Sequence, residues 1–446
     1  MTQADEQCIM AALSEDHIHM KFIKPFVIIA GIWPLDVKGL KLLMYNCYFY
    51  VTFTYYVLNV STIYVTAKQV ASHGTPTEIT NYISNAVFST LLIYKALTYR
   101  SSGVKDLLNS IRGVEADIAN EEDKEIKTIY MKNVKSSEFF GKVYVYQGIV
   151  SSCCAQLFPL ICTIMSKPNE EGYKEKYYIV ANWAPFDKHK YYCVAYLVQL
   201  AFTICAEMYT IFCGTFFLFI IENVVGRIFV LQYKFSKCFD NAQDLCENHG
   251  LSFKDACNIM VKGCIREHQQ IIRFMKNMDN TFKRYIFVDF MCTSFGLSVV
   301  VLQFLLEETI QMKIAAAAFF VIFASQSLII YYHADIIAFE GSHGLIKAIF
   351  CSNWHRLDVG AQKLLKFVIF RAQKPLTLSI GPFRKVGVES MIAVRYCGRG
   401  TPVSLARSSI LTLVYIETFY KYSDAYTISE VPANEHSFVN ITKCEI

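Results

Sequence analysis

The chain has 446 residues, of which 54% are hydrophobic, 15% aromatic and 18% charged, with a formal net charge of +5. Soluble domains are about 25% charged, so a soluble surface is under-supplied here, and scattered Lys and Arg with no dense basic stripe exclude a nucleic-acid footprint. The 16 cysteines form no disulfide framework: Cys47, Cys153, Cys154, Cys205, Cys213 and Cys292 sit inside apolar runs, where a thiol behaves as a small hydrophobe, and Cys238, Cys246, Cys257 and Cys264 lack the paired spacing of a zinc site.

Residues 1–38 carry Asp5, Glu6, Glu15 and Asp16 and no early apolar core after a basic start, so they do not read as a signal peptide. A membrane-spanning helix needs about 20 predominantly apolar residues. Six runs satisfy that expectation: 40–66, 79–99, 139–165, 192–221, 285–306 and 314–339. Runs of this length read as helices rather than barrel strands. The fourth, about 45 Å long as a helix, must tilt or project. The sequon Asn59-Val60-Ser61 falls inside the first run and is expected to stay unmodified.

Segments 67–78, 166–191 and 307–313 are short, whereas 100–138, 222–284 and 340–381 are long and periodic. Within 255–284, Ile259, Met260, Ile265, Ile271, Ile272, Phe274 and Met275 recur at helical spacing among Lys and Arg, so the fifth helix is expected to continue well past the membrane. The N-terminus and the long segments hold 26 Lys and Arg against 7 in the short ones, in proportion to their greater length. That favours a cytoplasmic N-terminus and cytoplasmic long segments.

Several local patterns have a family likeness. Gly31-Ile32-Trp33-Pro34 precedes the first run, and Trp183-Ala184-Pro185-Phe186-Asp187 precedes the fourth. Ser342, Leu345, Ala348, Phe350 and Trp354 follow the sixth, and Phe370-Arg371-Ala372-Gln373-Lys374-Pro375-Leu376 with Gly381 leads toward the C-terminal region. In this order and between these runs, the patterns resemble those of insect odorant receptors over residues 20–394. The resemblance implies an all-α polytopic membrane protein: a seven-helix bundle with cytoplasmic helical extensions and an inverted orientation relative to G-protein-coupled receptors. It further implies a ligand-specific subunit of a tetrameric cation channel formed with a shared co-receptor, in the plasma membrane of olfactory sensory neurons. The Asp-Arg-Tyr and Asn-Pro-x-x-Tyr signatures of G-protein-coupled receptors are absent.

With that orientation, the outer halves of the second, third, fourth and sixth runs offer Tyr82, Phe88, Ser151, Ser152, Phe158, Tyr196, Phe202, Met208, Tyr209 and Phe319 as candidate ligand contacts. An apolar pocket with a few hydroxyls suits a small volatile molecule; ordinary helix packing uses the same residue types. Glu207, in mid-run, is expected to face the bundle or a wet cavity. Asp289 is expected at the interface, near Lys283 and Arg284. His333, Asp335, Glu340 and His343 suggest an intramembrane metal hydrolase. No third histidine stands at matching depth in another run, apart from His17 and His19 of the polar N-terminus, and neither a Gly-rich phosphate loop nor a nucleophile elbow is present. No enzyme, cofactor or metal is therefore expected. A disulfide between Cys162 and Cys193, at the outer ends of two runs, stays open.

After Val394 the sequence reads Arg395-Tyr396-Cys397-Gly398-Arg399-Gly400-Thr401-Pro402. Two arginines, two glycines and a proline do not continue a lipid-adjacent helix. The run 410–420 is short and contains Glu417, so the seventh span is expected to be atypical. The expected organisation is a cytoplasmic segment 1–38, a helical membrane domain 39–394 and a divergent tail 395–446. The alternatives are a gustatory receptor of the same architecture and a multi-pass transporter or membrane enzyme; a transporter should show internal repeats with broken midplane helices, and none are seen.

Overall fold

Long apolar runs become long helices. The computed structural model describes residues 18–388, apart from 36–37, 74–75, 167–173, 175, 181, 307–309 and 382–383. The expectations for His17, for the tail 395–446 and for the seventh span lie outside the described residues. A 3-10 turn, Ile18–Met20, and a short helix α1, Lys24–Ile29, precede α2, Leu40–His73, and α3, Pro76–Tyr99. Then come α4, Ser102–Asn120, α5, Lys124–Met165, and α6, Tyr192–Glu207. A π-turn, Met208–Phe212, joins α6 to α7, Cys213–Ser236. After α8, Cys238–His249, α9 runs unbroken from Phe253 to Leu306. Helix α10, Ile310–Phe339, passes through a second π-turn, Glu340–Gly344, into α11, Leu345–Phe350; α12, Val359–Ala372, follows. A two-residue antiparallel ladder, β1 (Ser379–Ile380) with β2 (Arg384–Lys385), pairs Ser379 with Lys385 and Ile380 with Arg384.

The six expected runs all lie in helices, and most of those helices are longer than the runs. Helix α9 has 54 residues, about 80 Å at 1.5 Å per residue, far beyond a hydrocarbon core of about 30 Å. Among the described residues, four helical segments are long and apolar enough to cross a membrane: Lys124–Met165, Tyr192–Ser236, Phe253–Val301 and Ala316–Phe350. Helices α2 and α3 fall outside that set; α2 is rich in Tyr and Thr. Many of the hydroxyls in this pair are satisfied within the bundle: Thr52, Thr62 and Thr66 bond back to carbonyls of the preceding turn, Tyr56 donates to Ser89 O at 3.1 Å, and Tyr64 meets Thr90 at 2.7 Å. Polar groups so paired are compatible with hydrocarbon. Large apolar side chains such as Leu43, Val51, Leu58, Leu157, Ile161, Ile164, Leu197 and Ile314 point outward, as lipid-facing side chains do.

Helix α7 is the hub. Every residue from Cys213 to Ile228 is buried, and it packs on α5, α9, α10 and α11. The α5–α7 crossing is close because small residues stand where the helices meet. A Cβ on Gly141 would run into the Phe219 ring, and one on Gly214 into the Tyr144 hydroxyl. Such small-residue seams let membrane helices approach closely where lipid gives no hydrophobic drive to associate.

Candidate ligand site

Two cavities lie between α3, α9 and α10. The larger, about 510 Å³, is lined by Tyr82, Ser84, Asn85, Val87 and Phe88 of α3, Tyr178 and Ile179 of the segment before α6, Cys292, Phe295, Gly296, Val299 and Val300 of α9, and Phe319 and Phe323 of α10. Its wall is mainly apolar and aromatic, with a few hydroxyl and amide groups, the usual make-up of a small-molecule site. Gly296 helps to keep it open: a Cβ there would meet nothing nearer than Phe323, at 3.9 Å.

The smaller cavity, about 50 Å³, has a mixed wall that includes two charged side chains, Lys95 and Asp289. Lys95, Tyr144, Thr210, Tyr285, Asp289, Gln326 and Tyr331 face it among apolar residues such as Leu91, Leu92 and Ile286, and α5, the first π-turn, Phe217 of α7 and Val386 also contribute to its wall. Phe88 and Phe323 line both cavities, their ring centroids 6.1 Å apart and edge to face. Asp289 therefore corrects the expectation of an interfacial group: it lines an internal chamber, with Tyr285 Oη donating to its Oδ1 at 3.4 Å. Asp289 follows the exposed Arg284 by about one and a half helical turns, which brings it round to the opposite side of α9, toward the bundle.

Of the ten candidate contacts, Tyr82, Phe88 and Phe319 line the larger cavity. The others stand elsewhere. Phe202 stacks on Tyr56 at 5.1 Å and Tyr209 meets the same ring edge-on at 5.7 Å, so these two join α2 to α6 and the π-turn. Met208 packs against the same core. Tyr196 donates to Gln156 O and stands beside Tyr192. Ser152 accepts from Gln156 at 3.0 Å; Ser151 and Phe158 are half-buried on α5 away from both cavities. Sequence reasoning missed the whole α9 wall, from Cys292 to Val300. The available signal was Gly296, a lone glycine in a bulky apolar run.

The motif residues have structural roles. Trp33 is buried against Phe216, centroids 5.5 Å apart, and its carbonyl accepts from Tyr45 at 3.1 Å; Pro34 beside it is half-buried. Trp183 N donates to Thr62 O at 3.4 Å, which ties the 176–190 segment to α2, and Pro185 beside it is exposed. Phe186 packs on Tyr191, and Asp187 accepts from the backbone amides of His189 and Lys190 at 2.9 and 3.2 Å, organising the turn into α6. Those two amides hold the Asp187 carboxyl below its ordinary range. Trp354 packs on Phe350. Arg371 donates to Lys374 O at 2.9 Å, Gln373 N bonds Ile369 O, and Pro375 follows, which ends α12.

The polar residues around α10 do not assemble into a catalytic centre. Among the described residues, no three His, Cys, Asp or Glu side chains are grouped to hold a metal ion. Asp335 accepts from Val388 N at 2.7 Å, and Gln232 Nε2 holds Glu340 through its carbonyl and carboxylate. His333 instead contacts Glu222 of α7. Ser137 Oγ donates to Glu222 Oε2 and lies 3.2 Å from His19 Nε2, so the N-terminal segment joins the same buried network. Burial pushes the His19 ring down to about 4, keeping it neutral. Cys162 and Cys193 are both free thiols, so the open disulfide does not form.

A model of the 7tm Odorant receptor family matches residues 75–395. The chain belongs to this family. The receptor is 31% identical to Odorant receptor 30a of Drosophila melanogaster over 118 residues, 26% of this chain and 31% of that protein. It is 25% identical to Odorant receptor 10 of Aedes albopictus over 308 residues, 67% of this chain and 74% of that one. The first match thus spans less than two thirds of its relative's length. The fold is similar to the insect olfactory receptor OR5 from Machilis hrabei, with a TM-score of 0.64 over 88% of this chain and 97% of that one, at 15% identity. The same receptor in complex with eugenol gives 0.66, over 89% and 97%, again at 15% identity. The receptor is an all-α, multi-pass membrane protein of the odorant receptor family, which sets aside the gustatory and transporter readings.

Proposed function

We propose that this chain is the ligand-specific subunit of an odorant-gated cation channel, and that it binds a small, largely apolar volatile molecule in the larger cavity between α3, α9 and α10. The observation that carries this reading is the cavity itself: about 510 Å³, walled mainly by apolar and aromatic side chains. That is ample for a volatile molecule, whose affinity comes from apolar burial while one or two polar groups orient it. The eugenol complex of the Machilis hrabei receptor supports a small aromatic guest within the same fold. Tyr82, Phe88 and Phe319 of the expected contacts belong to this site, joined by Gly296 and Val299. Occupancy gates the channel only by binding one arrangement of the bundle better than another.

The receptor is proposed to act with the odorant receptor co-receptor in the plasma membrane of olfactory sensory neurons, with residues 1–38 in the cytoplasm. The family resemblance and the exposed Phe367 and Phe370 on α12 support an assembly surface there. No cofactor enters this reading, and the chain acts as a receptor rather than an enzyme.

The test is a concentration–response series for an odorant panel, recorded from cells expressing the chain with a co-receptor. Gly296→Leu fills the cavity and should shift potency several-fold for bulky agonists at unchanged surface labelling. Unchanged potency for every agonist would remove the cavity from the ligand path.

A further inference from the structure

The smaller cavity, next to the larger one, brings Lys95 and Asp289 to a shared wall inside the bundle. Lys95 is only 5% exposed, yet its hydrogen bond among the described residues is a long one, Nζ to Thr210 O at 3.4 Å, and it stands 5.5 Å from the Tyr285 ring centre. Among the described residues, Asp289 receives one equally long bond, from Tyr285. A lysine side chain offers up to three donors and a carboxyl group about four lone-pair sites, so both retain unused capacity facing the same space. Leaving such capacity unfilled in a water-poor interior costs free energy. At about 50 Å³, the chamber has room for a few waters or for the polar end of a guest, and not for a whole odorant. Its connection to the larger cavity is the shared pair Phe88 and Phe323.

We propose that the chamber is the head-group subsite of the ligand site and selects molecules that carry a hydroxyl at one end of an apolar body. The inference rests on the ligand cavity proposed above. A hydroxyl accepts from Lys95 and donates to Asp289 at once. A carboxylate would suit Lys95 but meet Asp289 with like charge, an amine would do the reverse, and a hydrocarbon or ether leaves Asp289 unserved. The apolar body stays in the larger cavity once the head passes the Phe88–Phe323 pair.

The test uses the full-length chain with its co-receptor and compares 1-hexanol, 1-octanol and 1-decanol with their methyl ethers and with octane, alongside a broad odorant panel. The alcohols should be about tenfold more potent than the ethers, the worth of one well-made buried hydrogen bond. Lys95→Met and the near-isosteric Asp289→Leu, which has no acceptor, should each erase most of that gap, and Asp289→Leu carries the comparison if Lys95→Met lowers surface labelling. Gly296→Leu should shift the whole series without changing the head-group order. Equal potency of alcohol and ether, agonism by hydroxyl-free odorants alone, or a gap that survives Asp289→Leu overturns the subsite; the cavity stands if Gly296→Leu still acts. A panel without any agonist, or one that Gly296→Leu leaves unmoved, overturns both.

Discussion

The Glu222 side chain of α7 meets His333 Nδ1 of α10 inside the bundle, and both side chains are only 3% exposed. Ser137 of α5 and His19 of the N-terminal segment close the network around the same carboxylate. Removing one partner leaves a buried polar atom of the other without its partner, at a cost of about 1–3 kcal/mol. Glu222→Ala and His333→Ala should therefore each lower the detergent-solubilised unfolding temperature sharply. The double variant should lose less than the sum of the two. Additive losses would show that the two residues act independently.

The same network should make the N-terminal segment acid-sensitive. The His19 ring titrates at about 4 in the fold and at about 6.5 when exposed, so the unfolded segment binds a proton first. Its stabilising contribution is complete above about pH 6.5 and declines as pH falls toward 4. Proteolytic cleavage near residue 20 in detergent should become faster between pH 7 and pH 5. His19→Gln, which does not titrate, should flatten that profile; an unchanged profile would assign the acid sensitivity to other groups.

The α5–α7 seam gives a steric prediction. Gly214 faces the Tyr144 hydroxyl with no room for a side chain. Gly214→Leu should push the helices apart and abolish surface expression, since overpacking costs about 1–3 kcal/mol or more. Pairing it with Tyr144→Ala should recover part of the loss. Recovery by neither Tyr144→Ala nor a smaller residue at 214 would locate the defect elsewhere.

Tyr209 separates packing from ligand contact. It is 2% exposed and lies edge-on to Tyr56. Tyr209→Ala should lower surface labelling and scale all responses down together, as core aromatic truncations cost about 3–5 kcal/mol. Val299→Trp, at the cavity wall, should leave labelling intact and reorder the agonists. A selective shift with Tyr209→Ala would return that residue to the ligand site.

These contrasts show what the sequence could convey. The helices were legible because uninterrupted apolar runs have few alternatives in a membrane, and the long reach of α9 was legible from the spacing of Ile265, Ile271, Ile272 and Met275 among charges. The motifs around Trp33 and Asp187 were legible as family patterns, and their roles as an anchor and a turn came only from the folded chain. The wall of the larger cavity was not. Helix α6 and the π-turn after it are apolar on nearly every face, so their sequence carries no mark of which residues pack on α2 and which could line a cavity. Tyr196, Phe202, Met208 and Tyr209 look like pocket residues for that reason. Glu222, His333 and His19 come from distant parts of the chain, and only the folded bundle brings them together.

Cys292 provides the most direct measurement, because its thiol lines the larger cavity. Cells expressing the full-length chain with its co-receptor are treated with a small membrane-permeant methanethiosulfonate, and modification of the peptide carrying Cys292 is followed by mass spectrometry with and without an agonist found in the panel. If the cavity between α3, α9 and α10 is the ligand site, saturating agonist should slow modification at Cys292 at least several-fold and leave Cys153 and Cys154, exposed on α5, unaffected. Equal rates at Cys292 with and without agonist would contradict that assignment.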